Sequence, residues 1–231
     1  MWLCNSSIGR KVVMSVTGIA LVLFLAFHGS MNVVALISEE GYNAICGFLG
    51  ANWYAVAATA ALGALTVIHI VYAFWLTLQN RKARGNNRYE VTDKPKKVEW
   101  ASQNMLVLGI IVVLGMGLHL YNFWAKMMLV ELLPCAGDHH LATDGVYWIR
   151  HTFENPVYVV LYIVWLVALW FHLTHGFWSA FQTIGMSNQI WEKRLYVIGY
   201  IFVAVVVLGF IAVAVNAFAQ ANGLICCGCC C

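Results

Sequence analysis

The sequence contains few charged residues and few prolines. Of its 231 residues, 10% are charged, 62% are hydrophobic and three are prolines. Soluble domains usually carry about 25% charged residues, so this composition excludes an ordinary soluble globular protein. Because no long Ser/Pro/Gly linker interrupts the chain, we predict a single membrane domain over residues 1–231.

The motifs of two common redox cofactors are also missing. No GxGxxG fingerprint for flavin adenine dinucleotide is present, and no cysteine spacing suits an iron–sulfur cluster. Cys4, Cys46 and Cys135 are isolated, and five further cysteines lie in the final ICCGCCC stretch. Five thiols in six positions are too crowded for a standard zinc site. We expect a dispensable tail, with metal binding, disulfide formation and lipidation as alternatives.

Five long apolar runs are present instead. They cover residues 12–37, 53–79, 103–128, 156–183 and 195–218. Each reaches the roughly 20 residues that a helix needs to cross a bilayer. Backbone groups within lipid must be hydrogen-bonded internally, which favours helices, and the short alternating segments of a transmembrane β-barrel are absent. The predicted fold is therefore all-α, an integral membrane bundle of five transmembrane helices.

The charged residues between the runs predict the topology. Eleven of the thirteen basic residues lie before the first run, between the second and third, or between the fourth and fifth. The other side has only Lys126 and Arg150, together with six carboxylates. The positive-inside rule places the N-terminus in the cytoplasm and the Cys-rich tail, residues 226–231, outside.

The centres of the runs lack Asp, Glu and Arg but contain histidine. The five histidines are His28, His69, His119, His172 and His175. An ionisable residue within a span indicates function by default. A hydrogen-bonded core ring would explain one histidine, but here four successive spans each carry at least one. Neutral imidazole is a common metal ligand, and helix bundles build cofactor sites from facing side chains.

The depth of each histidine predicts how they pair. Successive helices are antiparallel and rise 1.5 Å per residue, which places His28 and His119 in the outer half and His69 and His172 in the inner half. The two levels differ by about 10 Å, so four histidines cannot share one ion. Two stacked b-type haems fit better, with His28 and His119 on the outer haem iron and His69 and His172 on the inner haem iron. Nearby glycines either leave room for the macrocycle or allow close helix packing; they are Gly18, Gly29, Gly115, Gly117 and Gly176.

Four motifs around these histidines carry a family resemblance. SVTG at 15–18 precedes His28 by ten residues, VIHIVYAFW at 67–75 surrounds His69, GLHLYNFW at 117–124 surrounds His119, and HLTHGFWSAFQTIG at 172–185 begins with His172. In this order and spacing the chain resembles the five-helix, di-haem cytochrome b membrane subunit of succinate:quinone and quinol:fumarate oxidoreductases. The resemblance covers nearly the whole chain.

The resemblance implies roles for individual residues. It makes His28, His69, His119 and His172 the axial ligands of two haem b groups, in the same pairs that depth gives. It places Ser15 near a haem propionate. His175 either lies beside a propionate of the inner haem or is a packed, hydrogen-bonded histidine. A carboxylate that some relatives carry two residues before the fourth ligand is here a tryptophan, so a proton route through that carboxylate is not expected.

The resemblance also implies partners. It describes an electron-transfer subunit without the dicarboxylate site, in the bacterial cytoplasmic (inner) membrane. A flavoprotein subunit and an iron–sulfur subunit would dock on the cytoplasmic face, with the basic loop Arg81–Lys97 as a candidate surface. Quinone or quinol, with menaquinone expected, would be the membrane substrate, and two copies of the whole complex could form a dimer. Nucleic acid is not an expected partner, and no catalytic residue is assigned.

The quinone site is expected near acidic or imidazole groups at the outer face, because quinol oxidation releases protons. The candidates are Glu39, Glu40, His139, His140, His151 and Glu154. For each of them a solvated loop residue is the favoured alternative.

Two other functions compete with this interpretation. One is a haem b subunit of a formate dehydrogenase or hydrogenase, in which the histidines tend to cluster on fewer helices. The other is a transporter or channel with a histidine proton relay, which would favour carboxylates among the histidines.

Overall fold

The computed structural model describes residues 6–50, 52–84, 100–133, 139–186 and 188–225. Within these ranges the chain is helical and contains no β-strand. Cys4, Cys135, the tail 226–231 and residues 85–97 of the basic loop lie outside the described residues.

Nine α-helices follow one another in the described ranges. They are α1 Ser7–Val33, α2 Glu39–Phe48, α3 Trp53–Arg84, α4 Trp100–Gln103, α5 Met105–His119, α6 Met128–Leu132, α7 Gly145–Phe153, α8 Pro156–Thr183 and α9 Trp191–Ala221. A 3-10 turn, Val34–Leu36, extends α1, and a π-helical turn, Leu120–Trp124, extends α5.

Five helices are long and apolar enough to cross a membrane. The segments are Ser7–Leu36, Trp53–Ala83, Met105–Trp124, Pro156–Thr183 and Trp191–Ala221. This confirms the predicted all-α fold with five candidate spans. We call the end of the bundle where α1 ends and α3 begins the outer end, following the predicted topology.

Local sequence signals explain where the spans begin and end. The Ser6 side chain accepts a hydrogen bond from the Gly9 backbone N–H and starts α1. At the start of α8, Asn155 caps the helix and Pro156 occupies its first turn. This helix ends just before Gly185, whose φ of +84° is a backbone conformation that glycine adopts without strain.

The third span differs from its prediction. The sequence predicts one continuous helix over 103–128, but α5 ends at His119 and the Ala125 backbone N–H bonds to the Leu120 carbonyl at 2.8 Å, five residues back. This wider turn is a π-bulge, a feature that often marks functional sites. Apolar composition does not predict it, because a long apolar run indicates a membrane span without specifying which backbone hydrogen bonds form in it.

The core lies between α8 and α9. Val203 and Val207 on α9 are almost completely buried, and they pack against Leu166, Leu169 and Leu173 on α8. Helix α1 packs against α9, α8 and α3, and α5 packs against α8. Helix α3 buries the smallest share of the five spans and lies at the periphery, mainly against α1.

Two short helices cover the outer end, and we call α2 and α7 together the outer cap. The Asn43 amide donates to the Asp144 carboxylate at 2.9 Å, and the Asn43 carbonyl oxygen accepts from the Val146 backbone N–H at 3.0 Å. Arg150 on α7 pairs with Glu39 on α2 and donates to Gln220 at the end of α9. These bonds hold both short helices to each other and to the bundle.

Candidate functional site

The structure brings His28 on α1 and His119 on α5 together. Their ring centres are 5.8 Å apart and their planes are 80° apart. Helices α1 and α5 contribute one ring each because both histidines lie in the outer half of their spans. Depth predicts this pair; its coordination of iron stays a prediction.

An aromatic shell surrounds His119. Its ring centre lies 5.2 Å from that of Phe123, 5.8 Å from Trp165 and 6.4 Å from Tyr162. The π turn that follows His119 carries Phe123 and the fully buried Asn122, whose amide donates to the Tyr162 hydroxyl at 3.3 Å. The widened turn therefore sets both an apolar ring and a polar group beside the histidine.

His28 has a different environment. Phe24, one turn earlier, stacks on its ring at 5.3 Å, and Phe210 of α9 lies 5.6 Å away. Asn32, one turn later, donates from its amide nitrogen to the His28 backbone carbonyl at 2.8 Å. The ring is therefore enclosed by aromatic side chains and by one amide.

On the inner side, His69 contacts Thr17. The Thr17 hydroxyl oxygen lies 3.1 Å from His69 Nδ1, 2.8 Å from the Val13 carbonyl and 3.1 Å from the Met14 carbonyl. A hydroxyl has one proton, which the two backbone carbonyls compete for, so its oxygen accepts from His69 Nδ1–H. This bond leaves the lone pair on Nε2, the arrangement that metal-ligating histidines commonly show.

His172 is a neighbour of His69. It lies within electrostatic range of His69 and His175, and its Nδ1 is buried with no hydrogen-bond partner. A buried polar atom without a partner is unusual in proteins and points to a missing ligand or water. Gly109 of α5 lies against this ring, since a Cβ added there would be 3.8 Å from His172 Cε1.

Two predicted site residues remain, Ser15 and His175. Ser15 is 6% exposed, on the same helix as Thr17. His175 packs edge-on against Trp178 at 5.4 Å, and Trp178 stacks on Tyr196 of α9 at 4.7 Å. The structure thus provides His175 with an aromatic partner.

Sequence analysis missed Thr17 and Asn32, which both contact the predicted ligands. The signal for Thr17 is its place in the SVTG motif, and the signal for Asn32 is its position four residues after His28, a spacing that puts two helical side chains together.

The glycines near the histidines do not share one role. The space over Gly115 is filled by the Trp165 ring, and Gly29 packs against Phe210 and Val206. These two glycines serve close packing rather than leaving room for a cofactor. A Cβ at Gly117 or Gly176 would meet nothing within 4 Å, so both positions adjoin open space.

The outer pair satisfies a simple spacing test for one shared iron. Two metal–nitrogen bonds of about 2.0 Å, plus about 1 Å from each nitrogen to its ring centre, put the two centres about 6 Å apart. The observed 5.8 Å leaves room for such a site, and it is also an ordinary spacing for two packed rings. Within the described ranges no group of three or more His, Cys, Asp or Glu could hold a metal ion, and a bis-imidazole site needs only two.

An outer cavity of about 500 Å³ lies between the outer cap and the end of α9. Four of the six candidate quinone-site residues line it, namely Glu39, Glu40, His151 and Glu154. His139 and His140 are exposed elsewhere. The cavity is polar, and Arg150 in its wall is paired with Glu39.

Burial shifts the pKa of two titratable groups of the outer cap. It raises the pKa of Tyr42 well above its ordinary value, and the neighbouring Cys46 adds to this shift. It also raises the pKa of the Cys46 thiol above its ordinary value of 9.0. Both groups therefore keep their protons to a higher pH than they would in water.

No family model matches this chain, and neither a curated protein nor a solved structure matches it. Its function is therefore inferred from its own side chains and their geometry.

Proposed function

We propose that the chain is the membrane-anchoring cytochrome b subunit of a succinate:quinone or quinol:fumarate oxidoreductase in the bacterial cytoplasmic membrane. The observation that carries the proposal is the meeting of His28 and His119 between two spans. His69 and His172, which depth pairs in the inner half, interact electrostatically. The motifs around these four residues give the proposal its family.

In this proposal His28 and His119 hold the outer haem b, and His69 and His172 hold the inner one. The two haems supply one-electron oxidation and reduction at iron. Thr17 fixes the tautomer of His69 by accepting its Nδ1 proton. Phe123, Tyr162 and Trp165 keep water away from His119, and such burial is one of the means by which a protein tunes a haem potential.

The outer cavity is the proposed place for proton release from quinol. Glu40, His151 and Glu154 are bases in its wall that can receive those protons. Electrons passed from this face to the inner face cross the membrane potential, at about 2.3 kcal/mol per charge per 100 mV. The flavoprotein and iron–sulfur subunits dock on the cytoplasmic face in this proposal, and the Arg81–Lys97 loop contributes positive charge there.

A spectrum of the purified subunit tests the proposal. A reduced-minus-oxidised difference spectrum should show bis-imidazole haem b, with two haems per polypeptide. A colourless preparation with full helical content would contradict the cytochrome proposal and favour the transporter alternative.

Single histidine substitutions then test the ligand set. We expect H172A to lose one haem, because in this proposal His172 and His69 hold the inner haem together. H175A is the matched control, three residues away in the same helix, and should retain both haems. The opposite result would show that the fourth ligand is His175.

A further inference from the structure

The amide of Asn32 is aimed at the outer histidine pair. Its Nδ2 atom donates to the His28 backbone carbonyl at 2.8 Å and lies 3.5 Å from both nitrogens of the His28 ring. Because a carbonyl only accepts hydrogen bonds, the NH₂ side of the amide must be the side that faces His28. The positive end of a fixed dipole therefore lies beside this imidazole.

The hydroxyl of Tyr42 holds that amide from the other side. It donates to Asn32 Oδ1 at 3.2 Å, from a side chain that is 9% exposed. Asn32 thus has a partner at its oxygen and a partner at its nitrogen, in two different elements. The orientation of its amide is determined by α1 and α2 together.

Helix α7 in turn fixes Tyr42. Gly145, the first residue of α7, lies directly against this ring: a Cβ added there would be 2.6 Å from Tyr42 Cε1. The next residue along α2, Asn43, is bonded to Asp144 and to Val146 of α7. A continuous set of contacts therefore leads from the outer cap through Tyr42 and Asn32 to His28.

We propose that Asn32 and Tyr42 are positioning residues for His28, through which the outer cap sets the ring orientation and the reduction potential of the outer haem. This inference rests on the proposed function, because it assigns a role toward the haem that His28 would hold. The usual partner of a metal-ligating histidine accepts the ring N–H. The Asn32 NH₂ cannot accept, so it acts on the His28 ring through packing and through its dipole. The Asn32 NH₂ dipole opposes the extra positive charge of the oxidised iron, so it raises the reduction potential.

Redox titration and electron paramagnetic resonance of the membrane-embedded subunit test the proposal. In N32D the oxygen that accepts from Tyr42 is kept, and the NH₂ is replaced by oxygen. N32L removes both the oxygen and the NH₂ of the amide. Y42F removes the hydroxyl through which α2 holds the Asn32 amide. Y54F is the matched control, since the Tyr54 hydroxyl also donates at the outer end, to the Phe48 carbonyl at 2.5 Å.

We expect N32D to favour the oxidised outer haem about tenfold, which is about 59 mV for one electron. N32L and Y42F should shift the ratio of oxidised to reduced outer haem in the same direction by about threefold. The low-spin signal of the outer haem should change too, because it depends on the angle between the two imidazole planes. The inner haem, and both haems in Y54F, should keep their wild-type potentials.

The outcomes separate the inference from the proposed function. If the variants bind two haems and the outer haem keeps its potential and signal, or if both haems shift equally, the positioning role is wrong and the cytochrome stands. A wild-type protein without haem overturns both. If the Asn32 variants do not fold, Y42F decides alone, and an unchanged outer haem in Y42F overturns the inference.

Discussion

Replacing Gly115 with alanine probes the packing that places Trp165 beside His119. An added Cβ would overlap the Cδ1 and Cγ atoms of Trp165, far inside the roughly 3.5–4.0 Å optimum for carbon atoms. The indole cannot easily move aside, because its Nε1–H donates to the Val112 carbonyl at 3.0 Å and its ring lies 5.7 Å from that of Tyr162. Overpacking of this kind destabilises a protein by about 1–3 kcal/mol.

Gly117, two residues further along the same helix, is the matched control. A Cβ there would meet no atom within 4 Å. Both substitutions gain about 1 kcal/mol from the helix propensity of alanine over glycine. That gain cancels in the comparison, so G115A should be less stable than G117A by about 1–3 kcal/mol.

Reversible unfolding in mixed micelles, followed by far-ultraviolet circular dichroism, measures this difference. A second substitution, W165L, removes the obstructing ring, and the loss in G115A/W165L should be smaller than the sum of the two single losses. Equal stability of G115A and G117A, or strict additivity in the double variant, would refute the packing described for Trp165.

Two further outcomes follow from the polar contacts. T17V removes the hydroxyl that contacts His69 Nδ1 and should lower haem affinity at the inner site about 10-fold to 100-fold while sparing the outer site. T66V is the control, since the Thr66 hydroxyl donates to the Leu62 carbonyl of its own helix, and it should change neither haem in the same spectral titration. Burial raises the pKa of Cys46 and of Tyr42 in the folded state. Above about pH 9 the unfolded state therefore releases protons that the folded state keeps, so the free energy of unfolding should be constant up to that pH and fall above it. C46A should flatten the first part of that alkaline fall in denaturant titrations, and a steeper fall in C46A would contradict the assignment.

The spans were predictable because one property, a long apolar run, determines them. The pairing of His28 with His119 was predictable as well, since helix rise and antiparallel order place both at one depth. Their neighbours were not predictable in this way. Whether Thr17 or Ser15 faces His69 depends on the rotation of α1 about its axis, which depth does not specify.

The outer cap shows a second limit. Residues 38–52 and 129–155 lie between the predicted spans, yet α2 and α7 form there. Ser38 and Asp144 each accept a hydrogen bond from a backbone N–H three residues later, which is the usual helix start signal. That signal is present in the sequence, but helices of nine or ten residues are too short to appear as long apolar runs. Gly115 shows a third limit, because only the packed structure reveals which side chain fills the space above a glycine.

The π turn after His119 makes the chain one residue longer than an unbroken α-helix would need to cover the same rise. Deleting one residue between Leu120 and Trp124 would restore ordinary α-helical bonding at little expense to the backbone. The helix beyond the deletion would keep its direction and its facing side chains, because the π turn accommodates its extra residue locally. Within the turn, the Asn122 amide would move away from the Tyr162 hydroxyl. The extra residue is therefore what places this buried polar group beside His119.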